Sequence, residues 1–236
     1  MTISNDTRSR VKAIFEPIAL AMGRAGLTPD ALTLIGFAIT VVGAILLSQQ
    51  LWLIGGIVVF LGGVFDMFDG TLARATGQVS KLGAFMDSVF DRWGEVVVYI
   101  GIVAGLQAAG FADGPLLAAA AMGMAVMVSY ARAKSEGLGF TEGTGMAAVG
   151  VMPREVRLVI LSLGLILAGI LGTTIAGSGG AGGAAIPTGI LVLYIALAVI
   201  ALGATITVIQ RIVHVRSQAK HQTTTQTMTP TPPQAQ

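Results

Sequence analysis

The sequence predicts an all-α integral membrane protein, with six transmembrane helices and an N-terminal amphipathic helix lying in the membrane interface. Three observations carry this reading. Only 11% of the 236 residues are charged, less than half of the roughly 25% usual in soluble domains, and the mean hydropathy is +0.81. The apolar residues come in long runs, near the ~20 residues that a helix needs to cross a bilayer. The fourteen Lys and Arg fall in the N-terminal segment, at or near alternate connections between those runs, or after 210. Cysteine is absent, which excludes disulfides and thiolate metal sites. No cleavable signal peptide is expected, because Arg8, Arg10, Lys12 and Arg24 leave no uncharged apolar stretch followed by a small-residue cleavage site.

The elements follow in chain order. Over residues 8–25, Val11, Ile14, Phe15, Ile18, Ala19 and Met22 recur at helical spacing with basic residues opposite, which suits a helix lying beside anionic lipid. Spanning runs are expected at about 31–48, 51–73, 82–107, 115–134, 156–173 and 187–212. Gln49-Gln50, Ala112-Asp113-Gly114 and the stretch Gly172 to Pro187 separate spans on one side, and 74–81 and 135–155 on the other. The basic residues lie in the N-terminal segment, at or just past the 73–82 turn, around 132–157, and after 210. All of these fall on or near one side of a six-span arrangement. The positive-inside rule then places both termini and both charged loops in the cytoplasm of a multi-pass cell-membrane protein.

Three regions are therefore expected: a cytoplasmic segment over 1–29, a transmembrane domain over 30–213, and a Thr-, Gln- and Pro-rich disordered tail over 214–236. The glycine-rich stretch 177–183 is expected to be a flexible outer loop. Gly55, Gly56, Gly62 and Gly63 in the second span, and Ala118 to Ala121 with Gly123 in the fourth, permit close helix approach in lipid.

Against this background the stretch DMFDGTLARATGQVSKLGAFMDSVFD, residues 66–91, is anomalous. Carboxylates at a membrane boundary are costly and mark function by default. Asp66 and Asp69 are three apart and share a helix face, extended by Gly70 and Ala73. Gly83, Asp87 and Asp91 are four apart and share another face. The short turn over 74–81 makes the two helices antiparallel neighbours, so the acidic faces can oppose each other. Four carboxylates so placed repel in a poorly solvated site, with only Arg74 and Arg92 near in sequence. Hard oxygen ligands without His or Cys favour Mg²⁺ or Mn²⁺, and two such ions would balance four carboxylates. A two-metal site at a membrane surface suggests displacement at phosphorus. A proton or ion pathway, or structural ion pairs, is the alternative reading of the spacing.

Asp66-x-x-Asp69-Gly70-x-x-Ala73-Arg74, eight residues, Gly83, three residues, Asp87, three residues, Asp91 resembles the full signature of the CDP-alcohol phosphotransferases, with every fixed position present. The resemblance implies six transmembrane helices, an interfacial N-terminal helix, a homodimer and a bimetal site. It implies that Asp66, Asp69 and Asp87 hold the metals, and that Asp91 sits by the second metal as general base for the acceptor hydroxyl. It assigns Gly70 and Arg74 to the CDP moiety, and matches Ser80 and Pro29-Asp30-Ala31-Leu32 to the nucleotide pocket. A carboxylate suffices as base when the hydroxyl lies near a divalent cation, and the planar multi-donor cation of Arg74 suits a diphosphate.

The signature specifies the donor better than the acceptor. Ser129-Tyr130-Ala131-Arg132-Ala133-Lys134, then Arg154-Glu155-Val156-Arg157, and finally Arg211 all fall on the side of the aspartates. Such a basic cluster would bind an acceptor already carrying phosphate. The bland reading is positive-inside decoration and anionic-lipid contact. The arrangement resembles the bacterial phosphatidylinositol-phosphate synthases within the family. That subfamily transfers the phosphatidyl group of CDP-diacylglycerol to myo-inositol phosphate, releasing CMP. It has Ser-Tyr-x-Lys-x-Arg where this chain has Ser-Tyr-Ala-Arg-Ala-Lys, with the two basic types exchanged, so Arg132 and Lys134 need not keep the subfamily's geometry. Ser129, Arg132, Lys134, Arg154, Arg157 and Arg211 are thus the expected acceptor-phosphate residues. Phosphatidylglycerophosphate synthase, using glycerol 3-phosphate, is the alternative within the family. An ion-coupled transporter is the alternative outside it, but the sequence carries no inverted repeat of the kind transporters use. Nothing in the sequence suggests a nucleic-acid partner.

Overall fold

The computed structural model describes residues 5–140, 146, 149–172 and 186–228, with side chains only between 15 and 220. The glycine-rich stretch 177–183 lies outside the described residues. The described chain is helical: α1 (Asn5–Arg24), α2 (Pro29–Ser48), α3 (Trp52–Phe65), α4 (Met67–Thr76), α5 (Lys81–Ala108), α6 (Gly114–Gly137), α7 (Arg154–Leu171) and α8 (Thr188–Met228).

Local chemistry sets the boundaries near the aspartates. Thr28 caps α2, its hydroxyl accepting from the Ala31 N–H at 3.2 Å, and Pro29 follows at the first helical position, where a missing N–H costs nothing. Gly77 ends α4 with φ +68°, the left-handed conformation that glycine adopts without penalty. Ser80 then caps α5 by accepting from the Gly83 N–H at 2.9 Å. The 74–81 turn therefore reverses the chain within a few residues.

Helix α5 packs on α2 and α6, α3 on α2 and α7, α8 on α6 and α7, and α1 on α4. The main core gathers Leu47, Trp52, Ile102, Leu106, Leu165 and Leu193 between these helices. A smaller cluster of Ala19, Leu32 and Leu72 fastens α1 to α2 and α4. The Phe15 and Phe68 rings, 5.1 Å apart, extend it. The outward faces carry Ile54, Leu61, Ile170 and Leu202, each more than half exposed. That inversion of the soluble pattern suits hydrocarbon as solvent.

Among the described residues, four helical units are long and apolar enough to cross a membrane: Pro29–Ser48, Trp52–Thr76, Gly114–Gly137 and Thr188–Lys220. Helices α5 and α7 occupy the third and fifth expected spans but fall outside this group. The first half of α5 carries Asp87, Asp91, Arg92 and Glu95, and the 18 residues of α7 include Arg154, Glu155 and Arg157. These charges lower the apolarity of both helices.

Two boundaries also differ from the sequence reading. The second run divides at Asp66 into α3 and α4. Helix α8, which covers the last expected span, continues to Met228, through the first part of the stretch expected to be a disordered tail, while 229–236 lie outside the described residues. Thr and Gln are only modest helix formers, but extending an established helix needs no new nucleus. No proline interrupts it until Pro230.

Candidate active site

The acidic residues come together where α4 and α5 begin. Carboxylate oxygens of Asp66, Asp69 and Asp87 all lie within 4.8 Å of one another. Asp66 occupies the junction between α3 and α4 and lies against Gly36 of α2, where a Cβ would be in ordinary contact with its Oδ1 at 3.6 Å. Asp69 is buried. Its Oδ2 accepts from the Thr33 hydroxyl at 2.5 Å, and its Oδ1 accepts from the Gly70 N–H. Three converging carboxylates with oxygen donors only are a set that a hard divalent cation fits, since the cation offsets their repulsion.

Asp91 stands one helical turn beyond Asp87 and outside this trio. Its Oδ2 accepts from Arg154 Nη1 at 2.8 Å, while its Oδ1 is buried without a hydrogen-bond partner among the described residues. Arg154 Nη2 donates to Asp66 Oδ2 at 2.9 Å. One guanidinium on α7 thus clamps an aspartate from the α3–α4 junction and one from α5. A cavity of about 50 Å³ opens beneath, lined by Asp66, Asp91, Glu95, Arg154 and Arg157 and closed by Thr40, Val98 and Leu161. It has room for a few water molecules.

The expected donor-side residues divide. Asp30, Ser80 and Gly83 meet: a Cβ on Gly83 would lie 3.1 Å from Ser80 Oγ and 3.4 Å from Asp30 Oδ1. Arg74 folds over Gly70, its Nη1 3.2 Å from where a Cβ would stand. Pro29 and Ala31 are half-buried beside them. Leu32, by contrast, is fully buried in the cluster with Ala19 and Leu72, so its side chain is core.

The expected acceptor residues divide more sharply. Arg154 and Arg157 reach the cavity under the aspartates. Arg157 is only 1% exposed. It is forked onto Glu95, with Nε to Oε1 at 2.8 Å and Nη2 to Oε2 at 2.9 Å, and its Nη1 donates to the Met152 carbonyl at 3.0 Å. Arg211 is buried too, donating to the carbonyls of Val149 and Val128. Arg132 instead pairs with Glu136, one turn along α6, at 2.9 Å, Lys134 is exposed and Ser129 half-buried. The basic residues that sequence reading grouped therefore fall into a cavity pair, a buried tie and a surface set.

Two participants escaped the sequence reading. Thr33 supports Asp69, but a threonine in an apolar run is unremarkable without the fold. Glu95 left a better signal. It lies one turn beyond Asp91 on the same helix, in a chain with only 12 acidic residues.

Comparison with known proteins places the chain in a family. The sequence model for CDP-alcohol phosphatidyltransferase matches residues 26–219. The archaetidylinositol phosphate synthase of Pyrococcus horikoshii is 36% identical over 154 residues, covering 65% of this chain and 77% of the relative. The phosphatidylinositol phosphate synthase of Streptomyces avermitilis is 33% identical over 212 residues, covering 87% and 79%. Among solved structures, the Mycobacterium tuberculosis phosphatidylinositol phosphate synthase with CDP-DAG bound superposes with a TM-score of 0.72 at 27% identity, covering 86% of this chain and 94% of that one. The same enzyme has also been solved with manganese and citrate, again with a TM-score of 0.72. The chain belongs to the CDP-alcohol phosphatidyltransferase family.

Proposed function

We propose that the chain transfers the phosphatidyl group of CDP-diacylglycerol to myo-inositol phosphate, forming phosphatidylinositol phosphate and releasing CMP. The observation that carries this reading is the convergence of Asp66, Asp69 and Asp87 beside Asp91, with Arg154 and Arg157 lining the cavity below, in a chain of this family. Family membership displaces the transporter alternative. The names of the relatives, and the CDP-DAG held by the mycobacterial enzyme, favour this donor and an inositol phosphate acceptor.

In this reading Asp66, Asp69, Asp87 and Asp91 hold two Mg²⁺ ions, or Mn²⁺. When bound, the ions offset charge on the diphosphate and make the acceptor hydroxyl easier to deprotonate. Arg74 and Gly70 receive the donor's diphosphate, and Pro29, Asp30, Ala31 and Ser80 line the nucleotide side. Arg154 and Arg157 face the acceptor's phosphate, with Ser129, Arg132, Lys134 and Arg211 towards its approach. The acceptor hydroxyl attacks the lipid-linked phosphorus in line. The new oxygen–phosphorus bond forms as the bond to the bridging oxygen breaks, CMP departs with that oxygen, and Asp91 takes the hydroxyl proton. Holding the partners in line removes much of the entropic barrier. The same reading has six spans, α5 and α7 included, over 30–213. It has α1 in the interface, the site and both termini cytoplasmic, the cell membrane as location, and a homodimer as the assembly.

Purified protein with Mg²⁺ and CDP-diacylglycerol should release CMP on addition of inositol phosphate, and far less with glycerol 3-phosphate or serine. Release with glycerol 3-phosphate alone would replace the acceptor and leave the donor chemistry standing. Silence with all three acceptors would end the proposal.

A further inference from the structure

We infer that Glu95 is a positioning residue for the acceptor half of the reaction: its carboxylate sets the two arginines of α7 in the cavity wall beneath the aspartates. The inference rests on the proposed transfer to a phosphorylated acceptor. It starts from burial. A guanidinium only 1% exposed is strongly destabilising unless a partner neutralises it. Among the described residues Arg157 finds one carboxylate, and both of its oxygens are engaged at 2.8 and 2.9 Å. Two parallel hydrogen bonds fix orientation as well as charge, because the planar fork admits one mutual geometry.

The pair is anchored on its far side. Arg157 donates to the Met152 carbonyl at 3.0 Å, and the Met152 N–H donates to Thr207 Oγ1 of α8 at 3.0 Å. The Met152 side chain also packs on Gly203 of α8, where a Cβ would meet its terminal methyl. The start of α7 is therefore tied to α5 through Glu95 and to α8 through Met152. Arg154 lies one turn before Arg157 on the same helix, reaching Asp66 and Asp91 at 2.9 and 2.8 Å. Glu95 lies one turn beyond Asp91. Two ion pairs, one helical turn apart, thus join α5 to α7 like rungs. The upper rung meets the aspartates, and the lower holds the register.

The arginine fork also leaves donors for a ligand. A guanidinium has five N–H groups, and three of those of Arg157 are engaged. The other two sit on Nη1 and Nη2. Arg154, Arg157 and Glu95 share one cavity wall. Without the charge of Glu95, Arg157 would turn out of the wall to find water, and the start of α7 would move with it.

Glu95→Gln tests this, because it keeps the shape and removes the charge. With CDP-diacylglycerol and whichever phosphorylated acceptor the wild type uses, the acceptor KM should rise on the order of 10- to 100-fold while the donor KM holds within about 2-fold. A purely structural pair would show differently. It would lower the melting temperature in detergent, and kcat through the folded fraction, and leave both KM values unchanged, and that outcome overturns the inference. If Glu95→Gln does not fold, Glu95→Asp takes its place. It keeps the charge but withdraws it by one methylene, and should shift acceptor KM in the same direction by less. Failure of both variants to fold would assign the pair to stability alone, and the inference would fall. A wild type that ignores inositol phosphate but uses glycerol 3-phosphate changes the acceptor in the proposed function and leaves this comparison intact.

Discussion

Helix α5 meets its neighbours in two unlike ways. Around Gly101 and Gly105 it touches α2 through bare backbone: a Cβ on Gly101 would run into the Ala44 carbonyl, and one on Gly105 into that of Leu47 and the Trp52 ring. Around Asp87, Asp91 and Glu95, in the same helix, contact is made by charge, through Arg154 and Arg157 of α7. In lipid the apolar effect does not drive helices together, so the glycine half depends on fit and dispersion. The acidic half depends on neutralisation and on hydrogen bonds whose loss leaves buried charge. One half therefore tolerates no added atom. The other tolerates small changes of shape but no unpaired charge.

The largest effect expected from breaking this contrast is chemical. Asp91→Asn should lower kcat by about 10²- to 10⁴-fold, the usual loss for a general base, with the melting temperature little changed because Arg154 keeps Asp66 as its partner. Turnover within tenfold of the wild type would remove Asp91 from the proton transfer. Next comes the apolar half. Gly101→Ala adds one methyl against backbone that cannot yield, and should cost about 1–3 kcal/mol of stability, read as a fall in melting temperature in detergent. Unchanged melting would mean that α2 and α5 are looser than their contact suggests. Thr33→Val should act more gently, since Asp69 keeps its place but loses the donor at 2.5 Å. The Mg²⁺ concentration for half-maximal rate should rise about 10-fold, as for other residues that support metal ligands, with donor KM unaltered. An unaltered metal requirement would make the Thr33 bond a packing detail. The smallest effect belongs to Gly123→Ala. A Cβ there meets nothing within 4 Å, so melting should stay level or rise slightly, as helix propensity favours alanine by under ~1 kcal/mol. A marked fall would reveal a partner pressed against that face of α6.

Much of the molecule was legible in the chain because its signals are local. Asp66 and Asp69 at three apart, and Asp87 and Asp91 at four, declare shared helix faces, and the short 74–81 turn brings those faces together. The helix starts at Pro29 and Lys81, set by caps at Thr28 and Ser80, fall within two residues of the apolar runs expected from 31 and 82, though the caps themselves were seen only in the structure. What misled was chemistry that looks alike in sequence and differs in space. Arg154, Arg157 and Arg211 read as one basic group. Yet Arg154 clamps two aspartates, Arg157 is buried on Glu95, and Arg211 is tied to backbone carbonyls of Val149 and Val128. Leu32 sat inside a motif assigned to the nucleotide, yet its side chain faces Ala19 and Leu72.

By itself the sequence determined the class of the protein, the acidic cluster and the family, since hydropathy runs, charge segregation and residue spacing along one helix are properties of the chain. Only the tertiary structure decided which cation meets which carboxylate, that Thr33 supports Asp69, and that Glu95 holds Arg157. Those pairings join residues from 36 to 88 positions apart. No periodicity along the chain encodes them, because they exist only once folding brings α4 against α2 and the start of α7 within side-chain reach of Asp66 and α5, and burial forces each charge to find its partner.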